Sequence, residues 1–229
     1  MSGLQTLGRV AAYPPILGLL VACSSAEAQP PPPSPIERGD AGPSGRMEVP
    51  TVLPDVGSAC LPVSETSPGY AGANVDTPAL DTDARCTQAC LVYHFQGRVS
   101  CPYGQNENQL QSLPADDIAR CRVPHASGEI TEQPVEVPVS PQLVGRPDEQ
   151  AVYCSCRCDG PDPDASYCAC PQDMDCLELF APTGDAATDS YAGSYCVKRD
   201  AVYDPDASYG DPCIHGDPEA QQPCGDGNP

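Results

Sequence analysis

The chain of 229 residues carries 11 basic and 32 acidic side chains, a formal net charge of −21, and only 38 Leu, Ile, Val and Phe residues against 29 prolines and 20 glycines. Such a composition starves a hydrophobic core and belongs to a disordered chain unless covalent staples replace burial, and the 15 cysteines are the obvious staples. The acidic excess and a single lysine, Lys198, leave no positive stripe to neutralise phosphates, which excludes a nucleic-acid partner. The charge is uneven: residues 148–229 hold 17 acids and 3 bases, and residues 23–147 hold 15 acids and 7 bases. This acidity is read as a solvated, self-spacing surface.

Residues 1–22 contain no acid, one base at Arg9, and an apolar run from Ile16 to Ala22 too short to span a bilayer. They read as a secretory signal peptide. The segment ends Leu20-Val21-Ala22-Cys23, which resembles the lipobox of bacterial lipoproteins at every position. That resemblance implies cleavage before Cys23, a diacylglyceryl group on its sulfur and acylation of its amine, so that lipid anchors the protein to a membrane without a span. Ser24 stands where some Gram-negative families carry the aspartate that retains lipoproteins at the inner membrane, which implies an outer-membrane or cell-surface address. The alternative is ordinary cleavage after Ala26-Glu27-Ala28, releasing a soluble secreted protein that begins at Gln29. Either route leaves 14 cysteines, an even number.

Residues 23–57 hold the run Pro30-Pro31-Pro32-Pro33-Ser34-Pro35 and no cysteine after Cys23, and read as a disordered tether. With polyproline II at its start and coil beyond, the stretch from Ser24 to Gly57 spans roughly 30 to 35 Å. The remaining cysteines are Cys60, Cys86, Cys90, Cys101, Cys121, Cys154, Cys156, Cys158, Cys168, Cys170, Cys176, Cys196, Cys213 and Cys224, enough for seven disulfides in an oxidising compartment. The expected fold is small and disulfide-rich, mostly irregular, with short β-hairpins and one or two short helices.

Two modules are proposed, residues 58–146 with five cysteines and the acidic residues 147–229 with nine. In the first, Cys86 and Cys90 stand i, i+4, the spacing that places two sulfurs on one face of a helix, and a C-x-C on a strand would be a suitable partner. This pattern resembles the cysteine-stabilised αβ motif of small secreted peptides, although the C-x-C lies far downstream. The odd count of five requires at least one bridge between modules. Val135-Glu136-Val137-Pro138-Val139 alternates like a strand that Pro138 limits to an edge or an extended linker, and Pro114–Ala119 is expected to form one helical turn.

In the second module, Cys158, then Cys168-Ala169-Cys170-Pro171, then Cys176 resembles the end of an EGF-like repeat, though the final gap is short and the preceding Cys154-x-Cys156-x-Cys158 is foreign to that family. An internal echo accompanies it. Ala151-Val152-Tyr153 and the hexapeptide Asp162–Tyr167 (DPDASY) recur as Ala201-Val202-Tyr203 and Asp204–Tyr209. The repeat reads as a duplicated turn whose tyrosine packs on a disulfide. Lipobox, proline-rich tether and cysteine-rich acidic tail together resemble the cysteine-rich lipoproteins of myxobacteria, a resemblance that implies no activity.

Asp159, Asp162 and Asp164, with Asp173 and Asp175 nearby, are the candidate ligands for weak calcium binding, although the spacing is not that of an EF-hand and turn-forming Asp-Pro pairs explain the same residues. Cys154, Cys156 and Cys158 would hold a soft metal as thiolates but are expected to be oxidised outside the cell. No C-x-x-C, G-x-S-x-G, HExxH or phosphate-binding loop is present, and the histidines are His94, His125 and His215. The ten tyrosines, with no tryptophan, offer either a recognition surface or, at Tyr153, Tyr167, Tyr191, Tyr195, Tyr203 and Tyr209, a cover for disulfides. The expected function is therefore a non-enzymatic, lipid-anchored envelope protein without a cofactor, whose head is structural or binds a protein or glycan. The alternatives are a secreted enzyme or protease-inhibitor-like factor, and a calcium-dependent adhesive module.

Overall fold

The computed structural model describes residues 51–112, 114, 120–185, 189–214 and 224, which belong to one compact unit, Met47–Pro229. The lipobox, Cys23, the proline run, all but the first residue of the turn expected at 114–119, and His215 lie outside the described residues. Short strands, two short helices and seven cystine pairs make up the unit, with no described helix long and apolar enough to cross a membrane. The strands are β1 (Ala79–Asp81), β2 (Ala89–Val92), β3 (Arg122–Pro124), β4 (Ile130–Pro134), β5 (Val152–Ser155), β6 (Arg157–Asp159), β7 (Met174–Phe180) and β8 (Gly193–Lys198). The helices are α1 (Glu107–Ser112) and α2 (Asp148–Ala151).

All pairing is antiparallel, in sheets of order β1-β2-β5, β3-β4 and β6-β8-β7. Every residue of β5 is buried, because Val152, Tyr153 and Cys154 belong to the two larger core clusters and a preceding segment covers the strand's outer edge. Gly57 N–H donates to Cys154 O at 2.8 Å and Cys154 N–H to Ser58 O at 2.7 Å. Residues 51–57, which composition assigns to the tether, thus lie against the head, with Leu53 and Val56 packed on the second cluster.

The bridges are Cys60–Cys90, Cys86–Cys154, Cys101–Cys121, Cys156–Cys168, Cys158–Cys176, Cys170–Cys196 and Cys213–Cys224. Cys86–Cys154 ties the segment before residue 147 to the one after it, alongside the β2–β5 ladder. The helix expected over Cys86–Cys90 is replaced by a turn and the start of β2. Asp83 directs this outcome: its carboxylate accepts from Arg85 N–H at 2.8 Å and its carbonyl from Cys86 N–H at 3.0 Å, closing a turn. Asp55 then holds Thr87 by its backbone and hydroxyl, and the two sulfurs leave for different partners.

Val135–Val139 is an extended linker and not a strand, with only Val139 bridging to Gln105. The alternation still operates, since Val135 and Val139 bury against Cys101, Cys121 and Val123 in the third cluster while Glu136 and Pro138 are exposed. Where apolar residues run out, buried polar side chains hold the irregular backbone. Glu65 and Arg98 form a fully buried ion pair. The Glu65 carboxylate accepts from Val99 N–H at 2.7 Å, Ser100 N–H at 3.0 Å and Ser100 Oγ at 2.7 Å. Arg98 donates to the carbonyls of Glu65, Ser67 and Tyr70, so loop carbonyls that no ladder reaches still find donors.

Candidate functional site

The duplicated hexapeptide folds the same way twice. In the first copy Asp164 N–H donates to Asp162 Oδ1 at 3.0 Å, Ala165 N–H to Asp162 O at 3.2 Å, and Tyr167 Oη to Asp162 O at 2.6 Å. In the second, Asp206 N–H donates to Asp204 Oδ1 at 2.9 Å, Ala207 N–H to Asp204 O at 3.1 Å, and Tyr209 Oη to Asp204 O at 3.0 Å. Each is an Asx turn that closes on its own tyrosine. Each ring has a guanidinium beside it: Arg157 lies 5.5 Å from the Tyr167 centroid and Arg146 5.2 Å from that of Tyr209.

The two arginines differ in how completely they are enclosed. Arg146 is 3% exposed and sits 5.3 and 5.4 Å from the Tyr93 and Tyr203 rings as well. It donates to His94 O at 2.6 Å, Tyr93 O at 2.6 Å and Ala201 O at 3.1 Å. Burial pulls its guanidinium below the ordinary arginine value, and the surrounding tyrosines oppose that shift. Arg157 stands on the short strand β6 opposite Tyr195 of β8, and among the described residues its guanidinium donates from Nη1 alone, to Ser190 O at 3.2 Å and Ala192 O at 3.4 Å. Gly193, at φ 141°, permits the close approach of β6 and β8 there, because a Cβ at this position would run into the Asp159 carbonyl oxygen.

Beside Arg157, where the β1-β2-β5 and β6-β8-β7 sheets adjoin, lies an open groove of about 420 Å³. Leu80 and Asp81 of β1, Gln88, Ala89 of β2, Tyr191 and Tyr195 line it with Arg157. Tyr191 is 43% exposed, and Phe180 holds the Tyr191 and Tyr195 rings edge-on at centroid distances of 5.8 and 5.6 Å. Gln88 Oε1 accepts from Arg157 N–H at 3.0 Å, stitching the two sheets at the groove. Apolar walls with a few convergent polar groups are the usual make-up of a ligand site. Tyr191 and Tyr195 line this groove, whereas Tyr153 and Tyr203 pack in the cystine-rich second cluster.

Asp159, Asp162 and Asp164 are exposed and do not converge. Among the described residues, the trios of His, Cys, Asp or Glu whose ligand atoms lie within 4.8 Å of one another consist only of cysteines. Asp159 Oδ1 accepts from Gly160 N–H at 2.8 Å and Asp162 Oδ1 caps its own turn, the turn-forming role that Asp-Pro pairs suggest. Cys154, Cys156 and Cys158 leave in three directions, to Cys86, Cys168 and Cys176. Cys196 Sγ instead lies 3.7 Å from both sulfurs of the Cys156–Cys168 bridge, forming a packed sulfur cluster in the second core.

His94 has φ 50° and lies 2.9 Å through Nδ1 from Val75 O, with its ring stacked on Tyr203 at 3.9 Å. Burial holds it below the ordinary histidine value. It is thus a packed, hydrogen-bonded side chain, as its apolar-aromatic sequence context suggests; His125 is exposed in the β3–β4 turn.

The arginine sites and the groove are what sequence reasoning missed. One signal was available: only three bases occur after residue 147, and one of them, Arg157, interrupts the C-x-C-x-C run ahead of a repeated tyrosine turn. Comparison of the chain with protein-family models, curated proteins and solved structures finds no match.

Proposed function

We propose that this protein is a non-enzymatic, lipid-anchored envelope protein whose disulfide-stapled head binds a partner at the groove between its two three-stranded sheets. The seven bridges support an exported protein, because thiols persist unpaired in reducing compartments. The observation that carries the binding reading is the groove itself, where an exposed tyrosine, a second tyrosine and an incompletely paired guanidinium converge on a frame that Cys158–Cys176 and Cys170–Cys196 hold rigid. Tyrosine offers a large contact at low entropic cost, and a pre-organised frame avoids the ordering that weakens binding. The lipobox motif Leu20–Cys23 supports the anchor, and the proline-rich stretch after it supports a head held away from the lipid surface.

Intact mass spectrometry of the mature protein from its native membrane fraction, before and after reduction and alkylation, tests the address. An acylated Cys23 as the first residue, with 14 masked thiols, is the expected result. A soluble species beginning at Gln29 would make the protein a secreted factor, and free thiols carrying metal would overturn the structural role of the cysteines.

A further inference from the structure

We infer that the Arg157 groove is a peptide-binding site whose occupant is a neutral or basic turn-forming segment of a partner protein, supplying a tyrosine-like ring and a backbone carbonyl to the Arg157 guanidinium. The inference rests on the reading of the head as a binding module. What it adds comes from the chain's own duplication: two Asx turns that share the same three hydrogen bonds each place one tyrosine ring against one arginine. In the second copy the guanidinium is enclosed by three rings and donates to three carbonyls, from Nε and Nη2. Residues 201–209 lie against Arg146 and supply it with the rings of Tyr203 and Tyr209 and the carbonyl of Ala201, while Tyr93 and His94 supply a third ring and two more carbonyls.

In the first copy the same fork is unfilled. Arg157 has one ring, Tyr167, and two long carbonyl contacts, both made by Nη1, leaving Nε and Nη2 without an acceptor among the described residues. A guanidinium presents five donors in a fixed plane, so the missing partners are planar acceptors and a π face. A peptide that turns as residues 201–209 do provides both: that segment gives Arg146 the Ala201 carbonyl and the rings of Tyr203 and Tyr209. Leu80 and Ala89 give the groove an apolar wall for its aliphatic side chains, and Tyr191 stands exposed in the lining. The net charge of −14 on residues 148–229 and the Asp81 carboxylate in the lining disfavour an acidic peptide and favour a neutral or basic one.

The test uses the oxidised mature protein and, as probe, a synthetic nonapeptide with the sequence of residues 201–209 in which asparagine replaces both aspartates, titrated by calorimetry. Saturable binding at one site is expected. Arg157→Gln and Tyr191→Ala are each expected to weaken it by about tenfold or more, the scale of losing hydrogen bonds to a charged group or a buried aromatic contact. Tyr191→Ala serves as the variant that leaves Arg157 and its carbonyl contacts in place, and near-UV circular dichroism confirms that both variants keep the fold. Binding insensitive to both substitutions would overturn the assignment, as would no binding of the probe. In the latter case, saturable and Arg157-dependent binding of a neutral oligosaccharide such as chitotriose would retain the binding module and replace the peptide by a glycan; failure of both probes would count against the module as well.

Discussion

Replacing Asp148 by Asn is expected to stabilise the head at neutral and alkaline pH, with the gain disappearing in acid. Asp148 opens α2 and is only 9% exposed, its Oδ1 has no hydrogen-bond partner among the described residues, and Gln142 Oε1 accepts from its backbone N–H at 3.3 Å. Burial, and next the neighbouring Glu149 carboxylate, push its pKa from 3.8 up to about 6. The folded state therefore binds this proton more tightly than the unfolded state, so the contribution to stability is greatest below about pH 4, declines as pH rises to about 6, and is flat beyond. At 1.36 kcal/mol per pH unit the charged carboxylate costs about 3 kcal/mol at pH 8 as an upper figure, and solvent relaxation brings the expected gain for Asp148→Asn to about 1 to 3 kcal/mol. Guanidinium unfolding of the oxidised protein, followed by near-UV circular dichroism at pH 8, 6 and 4, measures it. Equal stability of parent and variant at pH 8, or a gain that persists undiminished at pH 4, would refute the reasoning.

Replacing Cys86 and Cys154 together by Ser opens a loop of 68 residues, for which chain entropy predicts a loss of about 4 kcal/mol, readable as a fall in the urea midpoint. Glu65→Gln leaves Arg98 buried without its counter-charge and is expected to cost about 3 to 5 kcal/mol, while adding Arg98→Met should recover part of that loss in a double-mutant cycle. Arg146→Lys keeps the charge but loses the fork that reaches three carbonyls and the planar face toward three rings. Limited proteolysis with chymotrypsin should then cut at Tyr203 or Tyr209 faster than in the parent, and an unchanged cleavage rate would show that Arg146 does not latch this segment. Full reduction is expected to abolish the near-UV signal; a cooperative transition in the reduced protein would contradict the dependence on staples.

Composition reached the fold class because it is an argument about quantity. Too few aliphatic residues for a core, an even set of 14 cysteines after residue 57, and frequent Pro and Gly leave short strands and irregular loops held by bridges as the available architecture. The repeated hexapeptide was legible as a turn, since Asp-Pro-Asp carries its own Asx chemistry locally. The partner of its tyrosine was not, because each ring's guanidinium comes from a residue outside the turn. The helix expected from the Cys86–Cys90 spacing failed for the same reason that such spacing is weak: i, i+4 states what a helix would bring together, and Asp83 and Asp55 had already given the backbone another set of hydrogen bonds.

What the sequence by itself determined is therefore local or additive: export and lipidation motifs as expectations, the need for seven staples, the acidic balance and the self-closing turns. The tertiary structure decided the rest. Which of the many pairings the cysteines adopt, that Arg146 reaches carbonyls 52 to 55 residues away, and that Leu80, Arg157 and Tyr191 border one groove all depend on segments meeting through the β2–β5 and β6–β8 ladders. Contacts of that range leave no periodicity or spacing in the chain, because their geometry exists only after the two sheets have packed.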